Sequence, residues 1–358
     1  PYLILIAFIL SVFTVFLLSL DFTSRFFNRV LNSFFCGEYR VRTAFISILL
    51  VALIISLPVW FPIKNTPIAE PPEKADILYP VMYEFQKEAF DQAISIAFVG
   101  DLIMLQDQVR SGYNKTDGLY QYSAMFEHTT RYLSKADYAI GVYEGPSAGE
   151  EAGYTTGNYD DGIPLHINLP DSFASAVKAS GIDLVTTANN HLLDKDTDGA
   201  FRTLDILDKA GLDHTGSYRN KAEKKSKIIQ IKGLKVGILS YTFGVNYYSE
   251  DYFLQEENSF ITSILVDKSS KYFESVKASV IRDFEQLKTS QPDIIIVLPH
   301  MGTQFSHTTD SYQELWNSVF LENGADIIFG DHAHAVQPIE IREVPEYDYK
   351  KALIVNCP

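Results

Sequence analysis

The sequence predicts an α/β domain preceded by an α-helical transmembrane region, and three observations carry that prediction. Two uncharged stretches, Pro1 to Leu20 and Ala44 to Ile63, are each near the roughly 20 residues that cross a bilayer's hydrocarbon as a helix. From Ile94 onward, short apolar runs rich in β-branched residues alternate with longer amphipathic segments, the pattern of helices packed on a sheet. Charge divides along the same line. The first 63 residues hold Arg25, Arg29, Arg40 and Arg42 against Asp21 and Glu38, a net of +2, which against −15 for the whole chain leaves −17 on the remainder.

The first apolar stretch lacks the basic start, short apolar core and small-residue cleavage site of a signal peptide, so both stretches read as spans. Four Arg in the loop between them place that loop in the cytoplasm and the acidic body outside. Residues 1–63 are therefore expected to form a two-helix anchor in the lipid bilayer. This puts the protein at the cell membrane with its 64–358 body extracytoplasmic. Five prolines from Pro62 to Pro80 (with Pro67, Pro71 and Pro72 between) mark a stiff tether, and a short helix is expected at about Val81 to Gln92. Residues 64–93 thus form a linker, and 94–358 the α/β domain. The chain opens on Pro1 and stops just past the apolar run Ala352 to Val355, the pattern of a piece of a longer protein, with further spans and a closing strand expected outside it.

Within the body, strands are expected at Ile94 to Val99, Tyr138 to Tyr143, Leu184 to Thr187, Val236 to Thr242, Ile294 to Leu298 and Ile327 to Phe329. Helices are expected at Met125 to Ser134, Ser172 to Ser180, Asp198 to Ala210, Tyr272 to Lys288 and Tyr312 to Asn323. In the third of these, Phe201, Leu204, Ile206, Leu207 and Ala210 share one face, and Gly211 supplies a C-terminal stop. The run Lys221 to Lys227 reads as a solvated loop before a strand at Ile228 to Ile231. Asn246 to Val266, with Tyr247, Tyr248, Tyr252, Phe253 and Phe260, reads either as an insertion overhanging a site or as a packing flap.

Composition excludes several classes. An acidic body cannot replace phosphate counterions, so nucleic acid is not an expected partner. Cys36 and Cys357 alone build neither a disulfide framework nor a thiolate zinc site. There is no P-loop and no Gly-rich dinucleotide element.

The residues that follow the strands carry the functional signal. The runs end in Gly100-Asp101, in Glu144, in Asn189-Asn190-His191, in Pro299-His300 and in Gly330-Asp331-His332-Ala333-His334. In open α/β sheets the ligand crevice lies beyond the carboxyl ends of the strands. Each residue alone has an ordinary reading, since Asp after a strand is commonly a cap or turn residue. The coincidence is what counts: four of the chain's eight His, at positions 191, 300, 332 and 334, accompany Asp101, Glu144 and Asn190. His332 and His334, alternate residues of an extended segment, can direct two imidazoles at one cation. Oxygen and imidazole ligands suit Mn²⁺, Zn²⁺, Fe or Mg²⁺, as one ion or as two about 3.5–4 Å apart, and metal-assisted hydrolysis is the chemistry such a set supports.

The stretches AFVGDLIML, DLVTTANNHLLDKDTDGAFRTLDILDKAGLDHTG, LPHMGTQF and GADIIFGDHAHAVQPIEI carry a resemblance. From about Ile94 to the chain end, the body resembles the capsule-synthesis CapA family, also called the poly-γ-glutamate synthesis PgsA family, whose fold is similar to the calcineurin-like metallophosphoesterases. The resemblance implies a layered α/β/β/α sandwich. It makes Asp101, Glu144 (as the bridging carboxylate), Asn190, His300, His332 and His334 metal ligands, and His191 a general acid or phosphate-orienting group with Asp194 beside it. Asn189, Gln304 and Asp331 become substrate-binding candidates. The chain departs from the pattern at Ile103, where the related phosphoesterases carry His, at Tyr143 before Glu144, at Gln304 in place of Glu and at Asp331 in place of His. The function implied is a membrane-anchored, extracytoplasmic metal-dependent hydrolase acting on an anionic polymer or phosphoester in capsule or poly-γ-glutamate synthesis or export. The alternative is a non-catalytic polymer-handling or scaffold partner of membrane synthase subunits.

Overall fold

In the structure, a computed structural model describing residues 93–159, 161–344 and 350–358, the first apolar run forms β1 (Ile96–Leu102). The two spans expected within 1–63, and the tether and helix expected before residue 93, lie outside the described residues. Among the described residues no helix is long and apolar enough to cross a membrane. β1 runs on through Gly100-Asp101, because its register against its neighbour shifts between Phe98 and Asp101 and keeps the backbone extended past the glycine. Asp101 therefore stands within the strand.

After β1 come α1 (Gln106–Ser111), a small hairpin of β2 (Tyr113–Asn114) and β3 (Leu119–Tyr120), a 3-10 turn at Ser123–Phe126 and α2 (Thr130–Leu133). The continuous helix expected over Met125 to Ser134 is broken here. Thr130 Oγ1 donates to the Phe126 carbonyl at 2.8 Å and Thr129 Oγ1 to the same oxygen at 3.2 Å, so hydroxyls compete with the helical ladder. Only Leu133 of α2 is buried to reward helix formation.

The next elements are β4 (Tyr138–Tyr143), α3 (Asp171–Ala179), β5 (Leu184–Thr186) and α4 (Asp196–Ala210), alternating as their periodicity predicts, followed by β6 (Asp213–Thr215), a short strand outside the expected set. Gly211 ends α4 in the left-handed conformation. The strands form an all-parallel sheet in the order β1-β4-β5-β6. A second sheet has the order β11-β12-β10-β9-β8-β7, from β7 (Ser226–Ile231), β8 (Leu234–Thr242), β9 (Ile294–His300), β10 (Ile327–Phe329), β11 (Ile339–Glu343) and β12 (Lys351–Val355). Its four inner strands are parallel and its two edge strands antiparallel. The run Ala352 to Val355 is thus an inner strand. The remaining helices are α5 (Glu250–Leu254), α6 (Phe273–Lys288) and α7 (Ser311–Glu322).

Three apolar clusters order these elements into layers. Phe173 and Val177 of α3 and Leu204 and Leu207 of α4 pack on Tyr143 and Val185 of the parallel sheet. Phe284 of α6 and Trp316 and Phe320 of α7 pack on Leu239, Tyr241, Ile295 and Val297 of the mixed sheet. Between the sheets, Ile140 and Leu184 meet Ile238, Ile296, Leu298 and Phe329, and Phe98 stacks on Phe329 with ring centroids 4.6 Å apart. Burial on both faces explains why these strands read as near-continuous apolar runs. It also brings the carboxyl ends of two sheets to one place.

Candidate metal centre

Each sheet contributes half of the centre. From the parallel sheet come Asp101 inside β1, Glu144 one residue after β4 and Asn190-His191 a few residues after β5. From the mixed sheet come His300, the last residue of β9, and Asp331, His332 and His334 after β10. Gly145 makes the turn beyond Glu144 at φ +116°, where an added Cβ would lie 2.2 Å from Ile167 Cγ2. Gly330 lets β10 pass the chain's last strand, since a Cβ there would lie 2.5 Å from the Asn356 carbonyl oxygen.

The side chains converge. His334 Nδ1 lies 3.0 Å from Asp101 Oδ2, and the His332 backbone N–H donates to that oxygen at 3.3 Å. His300 Nδ1 contacts Asp331 Oδ1, and His300 Nε2 lies 2.8 Å from Asn190 Oδ1 and 3.8 Å from Glu144 Oε1. The rings of His300 and His332 sit 4.6 Å apart, centroid to centroid. His332 and His334 are not on an extended segment as expected: both adopt positive φ, 95° and 49°. The bend, strained for non-glycine residues, folds the two imidazoles inward over Asp101 instead of aligning them along a strand.

Three ligand sets each bring their donor atoms within 4.8 Å of one another: Glu144, His300 and His332; Asp101, Glu144 and His334; Asp101, His300 and Asp331. Glu144 belongs to the first two, the place a carboxylate shared between two cations would take. Burial makes the fit to a cation specific. Glu144, His300 and Asp331 are wholly buried. Asp101 Oδ1, both Glu144 oxygens, Asp331 Oδ2 and His332 Nδ1 have no hydrogen-bond partner among the described residues. Buried carboxylate oxygens left this way are costly, and a divalent cation satisfies them together. The donors are O and N atoms, which suits the hard to borderline metals.

The electrostatics without a cation are those of mutually hostile buried groups. Burial pushes Glu144 and Asp331 well above the usual carboxylate range, and nearby Asp101 pushes both further. Burial alone would raise Asp101 too, but the His334 hydrogen bond and the surrounding imidazoles hold it below its ordinary value. Burial drives His300 well down and His332 down to about 4, so both imidazoles are neutral at pH 7, the form that ligates.

His191 and Asp194 stand together at the margin. His191 Nδ1 lies 2.6 Å from Asp194 Oδ2, which also accepts from the Ile167 N–H at 2.7 Å, and His191 Nε2 is 4.0 Å from Glu144 Oε1. Asp194 thus fixes the imidazole with its Nε2 edge toward the cluster. Asn189, expected among substrate contacts, is buried and spends its amide on the Tyr143 and Thr187 carbonyls, while its Oδ1 accepts from the His191 N–H. It shapes the loop that carries Asn190 and His191. Asp331, also expected to face substrate, is sealed against His300. Gln304 lies in the exposed turn after β9, outside the cluster.

Three neighbours escaped the reading of the sequence. Asn246 places its amide 3.3 Å from His191 Nδ1 and its N–H donates to the Asn190 carbonyl at 2.7 Å. Its signal was present, since it lies four residues beyond β8 at the start of the aromatic insertion. The Tyr159 hydroxyl lies 3.1 Å from His334 Nε2, and the Phe243 ring packs 4.5 Å from that of His332. Tyr159 lies in a loop with no periodicity to mark it.

Fold and site together describe a mixed α/β protein that gathers carboxylate, amide and imidazole donors at the facing strand ends of two sheets. Residues 95–355 match the model of the family described as Bacterial capsule synthesis protein PGA_cap, and the chain belongs to that family. It is 25% identical over 274 residues to the capsule biosynthesis protein CapA of Bacillus anthracis, covering 75% of this chain and 59% of that one. To the PGA biosynthesis protein CapA of Bacillus subtilis (strain 168) it is 24% identical over 253 residues, covering 70% of this chain and 60% of that one. The chain therefore spans about three fifths of the length of these relatives. A hypothetical protein from Thermus thermophilus, known from a crystal structure, aligns with a TM-score of 0.39 at 14% identity over 74% of this chain and 75% of that one, too loosely to assign the fold.

Proposed function

We propose that this chain is a membrane-anchored, extracytoplasmic hydrolase-like protein that acts, with a divalent cation, in the synthesis or export of a capsule or poly-γ-glutamate. In this reading its layered body is metallophosphoesterase-like and its first 63 residues form the anchor. The observation that carries the metal-dependent part is the set of unpartnered buried carboxylate oxygens surrounded by neutral imidazoles. Asp101, Glu144, Asn190, His300, His332 and His334 would hold the cation or cations, with Asp331 behind His300. A divalent cation there, Mn²⁺, Zn²⁺ or Fe, supplies Lewis-acid polarisation of a phosphoryl or amide oxygen and lowers the pKa of water. The chain's own residues do the rest. Asp194 holds His191 so that Nε2 faces the reacting region, where it can carry a proton to a leaving group. Asn246 closes the loop behind that imidazole.

One observation favours a second reading, that of a polymer-handling or scaffold subunit of a membrane synthase. The names of the family and of both relatives describe synthesis, none of them cleavage. Fold alone does not choose, because function lives in the site. Complementation separates the two. In a strain lacking the protein, Asp101→Ala and His332→Ala variants made at wild-type abundance should fail to restore the surface polymer. Full restoration by both would overturn the metal-dependent reading and leave the scaffold.

A further inference from the structure

A second charged site lies away from the strand-end cluster, on the α6 side of β8. It is a cavity of about 710 Å³, within the range of ligand pockets, between the basic run that leads into β7, the aromatic insertion and α6. Its walls include Lys225, Tyr241, Phe253, Phe260, Arg282 and Asp283. The insertion thus does two jobs: Asn246 reaches the cluster, and Phe253 and Phe260 wall this cavity.

The charges are arranged in an unusual way. Of the cations lining it, Lys221 is paired with Glu256 at 3.1 Å. Glu223 is occupied by the Arg219 N–H and the Asn220 amide. Lys225 and Asp283 remain, half-buried, with Lys224 and Arg282 exposed near them. Lys225 Nζ donates to the Ser259 carbonyl at 3.0 Å and Asp283 accepts from the Tyr241 hydroxyl at 3.2 Å, so the two opposite charges face one space without forming a direct ion pair. Burial pushes the Lys225 ammonium down and the Asp283 carboxyl up, and each only partly offsets the other. Half-buried opposite charges held apart are poorly compensated, and a molecule bearing one charge of each sign would complete both.

We propose that this cavity binds the zwitterionic head of an α-amino acid, its carboxylate on Lys225 and Arg282 and its ammonium on Asp283, with its side chain against Phe253 and Phe260. Guanidinium and ammonium donors match a carboxylate, and the Tyr241 hydroxyl already orients Asp283. A simple anion site would have no use for Asp283, and a purely apolar one no use for any of the four charges. The site is independent of any cation at the strand ends, so its fate and that of the metal centre can be read separately.

Titration calorimetry on the purified full chain tests it, with free glutamate and free leucine as probes beside their N-acetyl and methyl ester forms. Saturable binding of a free amino acid is expected, weakened at least about tenfold by blocking either its amine or its carboxylate. Arg282→Ala, on an exposed side chain, and Asp283→Asn should each weaken it by a similar factor. The His332→Ala/His334→Ala double variant should leave it unchanged. Absence of saturable binding by both free amino acids, equal binding of the blocked forms, or an Arg282→Ala variant that binds like wild type would each overturn the proposal.

Discussion

At the scale of single residues, the centre is built from groups that oppose one another until a cation arrives. Burial pushes Glu144 and Asp331 up and so favours their protonated forms, against which a cation competes, whereas it pushes His300 and His332 down toward the neutral form that ligates. The sign follows directly. Raising pH removes the competing protons, so cation affinity should rise with pH, and binding should release protons to the buffer. Calorimetry in two buffers of different ionisation enthalpy checks this, and identical heats in both would contradict it. The Asp, Glu, Asn and His of the cluster were legible as strand-end residues. Asn246 was marked only as the start of the insertion after β8, and Tyr159 was not marked at all, because nothing in a single sequence picks out a loop residue that contacts a site 175 positions away. A glycine makes the second residue-scale prediction. Gly145→Ala places a Cβ against Ile167 at positive φ and should cost at least about 1–3 kcal/mol in urea denaturation.

At the scale of elements, periodicity located most of the strands and helices that bury an apolar face, though the inner strand β12 was noted only as the apolar run Ala352 to Val355. Tyr272 to Lys288 and Tyr312 to Asn323 became α6 and α7 within a residue at each end because Phe284, Leu287, Trp316 and Phe320 anchor them on the mixed sheet. Met125 to Ser134 did not, because threonine hydroxyls took its carbonyls and little core awaited it. The His-x-His pair was legible as a ligand signal but misread as extended, since the left-handed turn that folds it inward depends on contacts far away in sequence. Helix α7 offers a test of this packing account. Trp316→Ala should cost about 3–5 kcal/mol, as the side chain is fully buried and its Nε1 donates to the Val266 carbonyl at 3.1 Å. Asp310→Ala, which removes the capping box at the same helix, should cost only about 1 kcal/mol. Equilibrium denaturation that ranked the two the other way would show that the cap, and not the core, holds α7.

At the scale of the whole molecule, the two sheets were expected only through the family resemblance, and periodicity alone could not show that the strand ends come from both of them. The strand runs were visible, but their pairing into β1-β4-β5-β6 and β11-β12-β10-β9-β8-β7, closed by the interlayer packing of Phe98 on Phe329, is a tertiary fact. The charge division retains its meaning for the proposed topology: a +2 head in the membrane and a −17 body outside it. Protease added to intact protoplasts should therefore digest the body, and full protection until the membrane is breached would refute the extracytoplasmic placement. The acidity of the body is not uniform, as the Lys225 and Arg282 cavity shows. Its most buried acids, Glu144 and Asp331, belong with Asp101 to the centre on which the proposed chemistry depends. The most direct measurement is the metal content of the purified full chain beside that of the folded His332→Ala/His334→Ala double variant. Stoichiometric Mn, Zn or Fe in the first and its loss from the second is the result predicted; a wild-type protein that takes up no divalent cation, or a double variant that holds as much, would contradict it.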